Sequence, residues 1–114
     1  MKFVLLMAED DHFEKWQRAD DAEREAVFAA FGAFAEAVEA RGSVIGGEGL
    51  APVAEAVTLR PGADRPVTEG PYAETAEQLG GLWIVDLPDL ETAVELARLL
   101  PASYSVEIRR ATED

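Results

Sequence analysis

A chain of 114 residues with 23 acidic and 10 basic side chains carries a net charge of −13, and such a surface repels nucleic-acid phosphates and anionic membranes. Its length fits one domain spanning residues 1–114, and at 48% hydrophobic residues it can fill one core. The absence of cysteine excludes disulfides, thiolate metal sites and cysteine nucleophiles.

The run Met1 to Ala8 is strongly apolar, but it is too short for a signal segment and leads into Glu9-Asp10-Asp11 without a small-residue cleavage pattern. No stretch approaches the roughly 20 apolar residues of a membrane span. A soluble, cytoplasmic protein is expected, with neither nucleic acid nor membrane as a partner.

Phe3 to Met7 reads as a strand covered on both sides, and Glu9 to Asp20 as a polar connection. Asp20 stands three residues before Glu23, a capping-box spacing that opens a helix over about 21–41. Val27, Phe31, Phe34 and Val38 form its apolar stripe, with Phe28, Ala30 and Ala35 beside them, and Gly42 is expected to end it in a left-handed conformation. Ser43 to Gly47 is a second short strand, followed by a bend at Gly46-Gly47-Glu48-Gly49 that lets the backbone approach another group closely.

The turn residues Pro61-Gly62-Ala63-Asp64 separate two short extended segments, 56–60 and 66–68, which predicts a hairpin. Leu82 to Leu87 is a core strand. Asp89 caps a second helix whose buried stripe is expected at Leu90, Val94, Ala97 and Leu100, with Pro101 as its stop. In the final strand Tyr104, Val106 and Ile108 alternate with Ser105, Glu107 and Arg109.

This order is β-α-β, an inserted hairpin with an acidic loop, then β-α-β. Two right-handed halves interleave into a four-stranded antiparallel sheet with both helices on one face, the ferredoxin-like α+β arrangement βαββαβ. Apolar residues on the first strand and Trp83 then need a cover on the other face. A homodimer packed sheet to sheet, a dimeric α+β barrel, supplies it.

Glu69-Gly70-Pro71-Tyr72-Ala73-Glu74-Thr75, followed by Glu77-Gln78-Leu79-Gly80-Gly81, resembles the signature of the DGPF proteins within the YciI-like (YCII-related) group. That signature runs Asp-Gly-Pro-Phe-Ala-Glu-Thr-Lys-Glu-Gln-Leu-Gly-Gly. Met1 to Leu6, Gly46 to Leu50 and Val106 to Arg109 agree as well, so the likeness covers essentially the whole chain. Here Glu69 replaces the usual Asp, Tyr72 replaces Phe, and Ala76 stands where Lys is common, which makes the loop more acidic. The resemblance implies a bacterial dimeric α+β barrel but little about activity. DGPF genes often lie near sigma factors of the extracytoplasmic-function type, and relatives in the wider group are proposed to use a His-Asp pair. His12 is the one histidine of this chain and does not align with that pair.

Glu48 and Glu69 are the candidate acid-base pair if the second strand's end meets the entrance of the Gly80-Gly81 strand across a cleft; the plainer reading leaves both as turn carboxylates. His12, between Asp11 and Glu14, is the one side chain whose ordinary range suits a proton shuttle near neutrality, although an exposed loop histidine is the commoner outcome. Glu69, Glu74 and Glu77 suit a hard cation or face water. Tyr72, Trp83, Trp16 and Tyr104 suit the wall of a small-molecule pocket or a core. Arg109 and Arg110 either neutralise Glu107 or hold an anionic ligand.

No zinc set, dinucleotide fingerprint or nucleophile elbow is present, so neither metal nor cofactor is expected. Two readings follow. One is a homodimeric small-molecule enzyme using Glu48, Glu69 and His12, with Tyr72, Glu74, Trp83 and Arg109 contacting the ligand. The other is a non-enzymatic ligand-binding or regulatory partner that meets a sigma factor through its acidic surface.

Overall fold

The computed structural model describes residues 1–113. Its strands and helices are β1 (Lys2–Asp10), α1 (His12–Arg18), α2 (Asp21–Arg41), β2 (Ser43–Gly49), β3 (Val57–Leu59), β4 (Val67–Glu69), β5 (Glu77–Asp86), α3 (Leu90–Ala97) and β6 (Ser105–Arg110), with a 3-10 turn at Val53–Glu55. The main sheet has the order β2-β5-β1-β6 with every neighbouring pair antiparallel, and β3-β4 forms a separate ribbon. This α+β architecture is compatible with the ferredoxin-like arrangement, the ribbon being the expected hairpin.

Alternation along β1 sorts its side chains onto two faces. Phe3, Leu5 and Met7 pack with Val85 of β5, Phe34 and Val38 of α2, and the α3 side chains to form the buried core. Val4, Leu6 and Ala8 point the other way, opposite Ile84, Leu82 and Leu79 of β5, and no helix covers them. Trp83 pairs with Leu5 and packs edge-on to Phe31 and Phe34, so it lies under the helices rather than on the open face. The molecule is correspondingly flat, 47 × 43 × 18 Å, and its radius of gyration of 15.7 Å exceeds the ~13 Å of a compact domain this long.

Helix α2 begins with the capping box read from the sequence. The Asp20 carboxylate accepts from the Glu23 N–H at 2.8 Å, and the Glu23 carboxylate accepts from the Asp20 N–H at 3.2 Å. Its end differs from expectation. Gly42 has φ −174°, an extended conformation, and glycine is needed there because a Cβ would fall below 3.0 Å from the Asp86 carbonyl oxygen. The helix therefore stops where its backbone meets β5, not in a left-handed cap.

Three other expectations are corrected. The polar connection contains helix α1; β2 continues through the expected bend to Gly49, with a bulge at Val44/Gly46; and β5 begins at Glu77, taking Gly80-Gly81 into the sheet. On α3 the buried residues are Thr92, Ala93, Leu96 and Ala97, with Leu100 buried just after it; Ala97 and Leu100 match expectation, whereas Leu90 and Val94 are exposed. This short helix is apolar over much of its circumference, so packing selects the face.

Asp89 caps α3 as expected, accepting from the Thr92 N–H at 2.8 Å and the Thr92 hydroxyl at 2.7 Å. The hydroxyl above all, then the backbone N–H, hold the Asp89 carboxyl below its ordinary 3.8, with Arg41 adding a smaller pull. A carboxyl depressed on folding stabilises the protein above its unfolded pKa, and that contribution fades as pH falls through the folded value. Asp89→Asn is thus expected to remove part of the acid-side stability loss below about pH 4. Melts of the two proteins across pH 2–6 check this, and parallel profiles would contradict it.

Candidate functional site

Continuing the β1 alternation past Met7 puts Glu9 on the helix-covered face, where it is only 8% exposed. A carboxylate removed from water needs compensation. Asp11 provides the geometry for it: its φ of 51° turns the chain sharply from β1 into α1, bringing His12 back over the strand end. His12 Nδ1 lies 3.0 Å from Glu9 Oε1, and Lys15 Nζ lies 3.9 Å from Glu9 Oε2. With the carboxylate as acceptor, the ring proton is assigned to Nδ1, and Nε2 carries the lone pair.

The imidazole is held on three other sides. Phe13 meets it edge-on at 4.8 Å between centroids, and Tyr104 lies at 5.6 Å. The third side is the backbone of Gly80, at a β-bulge where Met7 pairs with Gly81 and Ala8 with Leu79. A Cβ at Gly80 would fall below 3.0 Å from both Nε2 and Cδ2 of His12. The second-strand loop is fixed to the same point, since Leu50 N–H donates to the Gly80 carbonyl at 2.9 Å.

A cavity of about 490 Å³ opens beside this ring, within the usual range for small-molecule sites. Phe13 and Trp16 of α1, Phe28 and Phe31 of α2, Trp83 of β5 and Tyr104 before β6 supply its aromatic wall. The rings continue edge to face from Trp16 through Phe28 and Phe31 to Trp83. An adjoining cavity of about 420 Å³ shares His12, Trp16, Val27 and Tyr104 and adds Glu9, Lys15 and Arg18. Burial above all, and then the charge of Glu9, raise the Tyr104 phenol above its ordinary 10.0, so it stays protonated at neutral pH.

Of the residues singled out from sequence, His12, Glu48 and Trp83 line the larger cavity, as do Trp16 and Tyr104. Glu48 sits at the rim. It pairs with Leu82, which pairs with Leu6, so the register directs its side chain toward the open sheet face. Glu69 ends β4 opposite Val57 on the ribbon and lines neither cavity. Tyr72 is 82% exposed and offers its carbonyl to Arg60, and Glu74 is exposed.

Glu77 accepts from the Ser105 hydroxyl at 3.1 Å. Arg109 stands opposite Val4 on the open face and pairs with Glu107. Among the described residues, no three His, Asp or Glu side chains gather as a metal site.

Glu9, Gly80, Phe13, Phe28 and Phe31 are site residues that sequence reasoning did not assign. The signal for Glu9 was the two-residue alternation Phe3, Leu5, Met7, Glu9 together with a histidine three residues on.

The YCII-related domain model matches residues 1–111. The chain belongs to the YCII-related family. An uncharacterised protein of Rhizobium meliloti (strain 1021) is 40% identical over 65 residues, 53% of this chain and 52% of that protein. The chain thus spans about half the length of the curated relative it matches. Among the described residues no helix is long and apolar enough to cross a membrane.

Proposed function

We propose that this YCII-related protein is a small-molecule enzyme of the proton-transfer class, with His12 Nε2 as the general base and Glu9 as the group that fixes its tautomer and stabilises the imidazolium. The observation that carries this reading is the 3.0 Å Nδ1–carboxylate contact beside a cavity of about 490 Å³. A carboxylate on one ring nitrogen and an open ligand space beside the ring are the parts a base needs. Tyr104, neutral and adjacent, is placed to donate to oxygen on the substrate. Trp83 forms ligand wall, Glu48 marks the mouth, and Glu69, Tyr72, Glu74 and Arg109 take no part in the chemistry. The Glu69-to-Gly81 segment favours the DGPF subgroup, and its Gly80 supplies the seat for the base.

The working form in this proposal is a homodimer closed through the open sheet face. The half-buried apolar strip Val4, Leu6, Leu82 and Ile84 on the face opposite the helices, and the flatness of the single chain, support it.

Proton abstraction is tested with 2-tetralone, an uncharged ring compound with acidic C–H groups beside its carbonyl, by following deuterium uptake from D₂O. Exchange above the buffer rate is expected, with a loss of about 10²–10⁴-fold in folded His12→Ala. Equal rates for the two proteins, or no exchange above buffer, would overturn the proposal.

A further inference from the structure

We infer that the larger cavity selects ring compounds without negative charge and rejects anions; this names the substrate class of the proposed active site and rests on that reading of it. The lining carries six aromatic side chains, and its ionisable groups besides the Tyr104 phenol are His12 and Glu48. Neither lysine nor arginine lines it among the described residues.

The cations around the cavity lie outside its lining, and the Arg24 Nε is buried without a hydrogen-bond partner. Arg24 stacks its guanidinium 5.3 Å from the Trp16 ring and donates to the Trp16 carbonyl at 2.8 Å. Lys15 sits beside Glu9, and both Lys15 and Arg18 belong to the adjoining cavity.

An anionic ligand would therefore lose its water without gaining a counter-charge, which is strongly unfavourable. It would also enter a wall made largely of aromatic rings, with no cationic side chain among the described residues to receive it. Ring faces attract cations, so an aromatic wall offers a cationic ligand a contact that it cannot offer an anion in the same place. The net charge of −13 acts in the same direction at longer range. Neutral rings lose little on desolvation and gain the aromatic contacts.

Three naphthyl compounds that differ in charge test the inference: 1-naphthylacetamide, 1-naphthylacetate and 1-naphthylmethylamine. Binding is measured by calorimetry at low and high salt, with the His12 ring signals in NMR reporting the site. The amide and the amine are expected to bind at least ~10-fold more tightly than the carboxylate, the amine losing part of its advantage at high salt. Phe31→Ala is expected to weaken the amide and the amine together.

An anion bound as tightly as the amide would overturn the inference, because Lys15 and Arg18 would then be recruiting it. Failure of all three to bind would overturn it as well. Deuterium exchange is not read in this experiment, so a preserved charge order with inactive 2-tetralone would remove only the proton-transfer reading.

Discussion

Gly80→Ala is expected to displace the His12 imidazole while leaving the sheet folded, and to cut His12-dependent exchange by about 10²-fold or more. The added methyl would fall below 3.0 Å from both Nε2 and Cδ2, and the histidine side chain is the partner able to move. Once displaced, the ring loses its alignment on Glu9, and the buried carboxylate loses a hydrogen bond. Gly80 belongs to a bulge of β5, away from the Phe34–Val38 core, so melting should change far less than activity. A shifted pH–rate profile together with altered His12 ring signals would identify displacement rather than unfolding. A Gly80→Ala protein with unchanged ring signals and exchange would show that the seat is irrelevant.

The second large effect concerns the open face. If the chain associates as proposed, Leu6→Glu is expected to weaken self-association at least about 100-fold, since a charge placed in the proposed sheet-to-sheet interface is left without compensation. Leu6 lies between Leu82 of β5 and Glu107 of β6, in the middle of the half-buried strip. Sedimentation of both proteins over a wide concentration range reads this directly. The same substitution leaves the core of Phe3, Leu5 and Met7 untouched, so a folded monomer is the expected product. A wild-type chain that stays monomeric at high concentration would contradict the dimer.

The parts of this fold that were readable are those specified by local chemistry. The Asp20–Glu23 capping box, the α2 stripe, the hairpin and the Asp89 cap each need only neighbouring residues. The misread parts depend on distant ones. Seven residues are too few for α1 to show a stripe, and Phe13 and Trp16 stand among charges. Gly80-Gly81 looks like a strand break until β1 is laid beside it, when the ladder extends β5 back to Glu77.

The site followed the same division. Trp16, Trp83, Tyr104 and His12 were visible as residue types. Glu9 was assigned to a polar loop because β1 was ended too early, and with it the partner of His12 was lost. The acidic turn drew attention to Glu69 and Glu74, whereas the part of that segment that touches His12 is the backbone of Gly80.

One histidine in 114 residues makes the central claim directly measurable. Nitrogen-15 NMR of the His12 ring at neutral pH, with and without Glu9→Gln, reports which nitrogen carries the proton. The account predicts that the neutral form of the ring carries its proton at Nδ1 with a free Nε2, and a redistribution of the proton between the two nitrogens in Glu9→Gln. A wild-type ring protonated at Nε2, or one averaging freely between tautomers as in water, would contradict it.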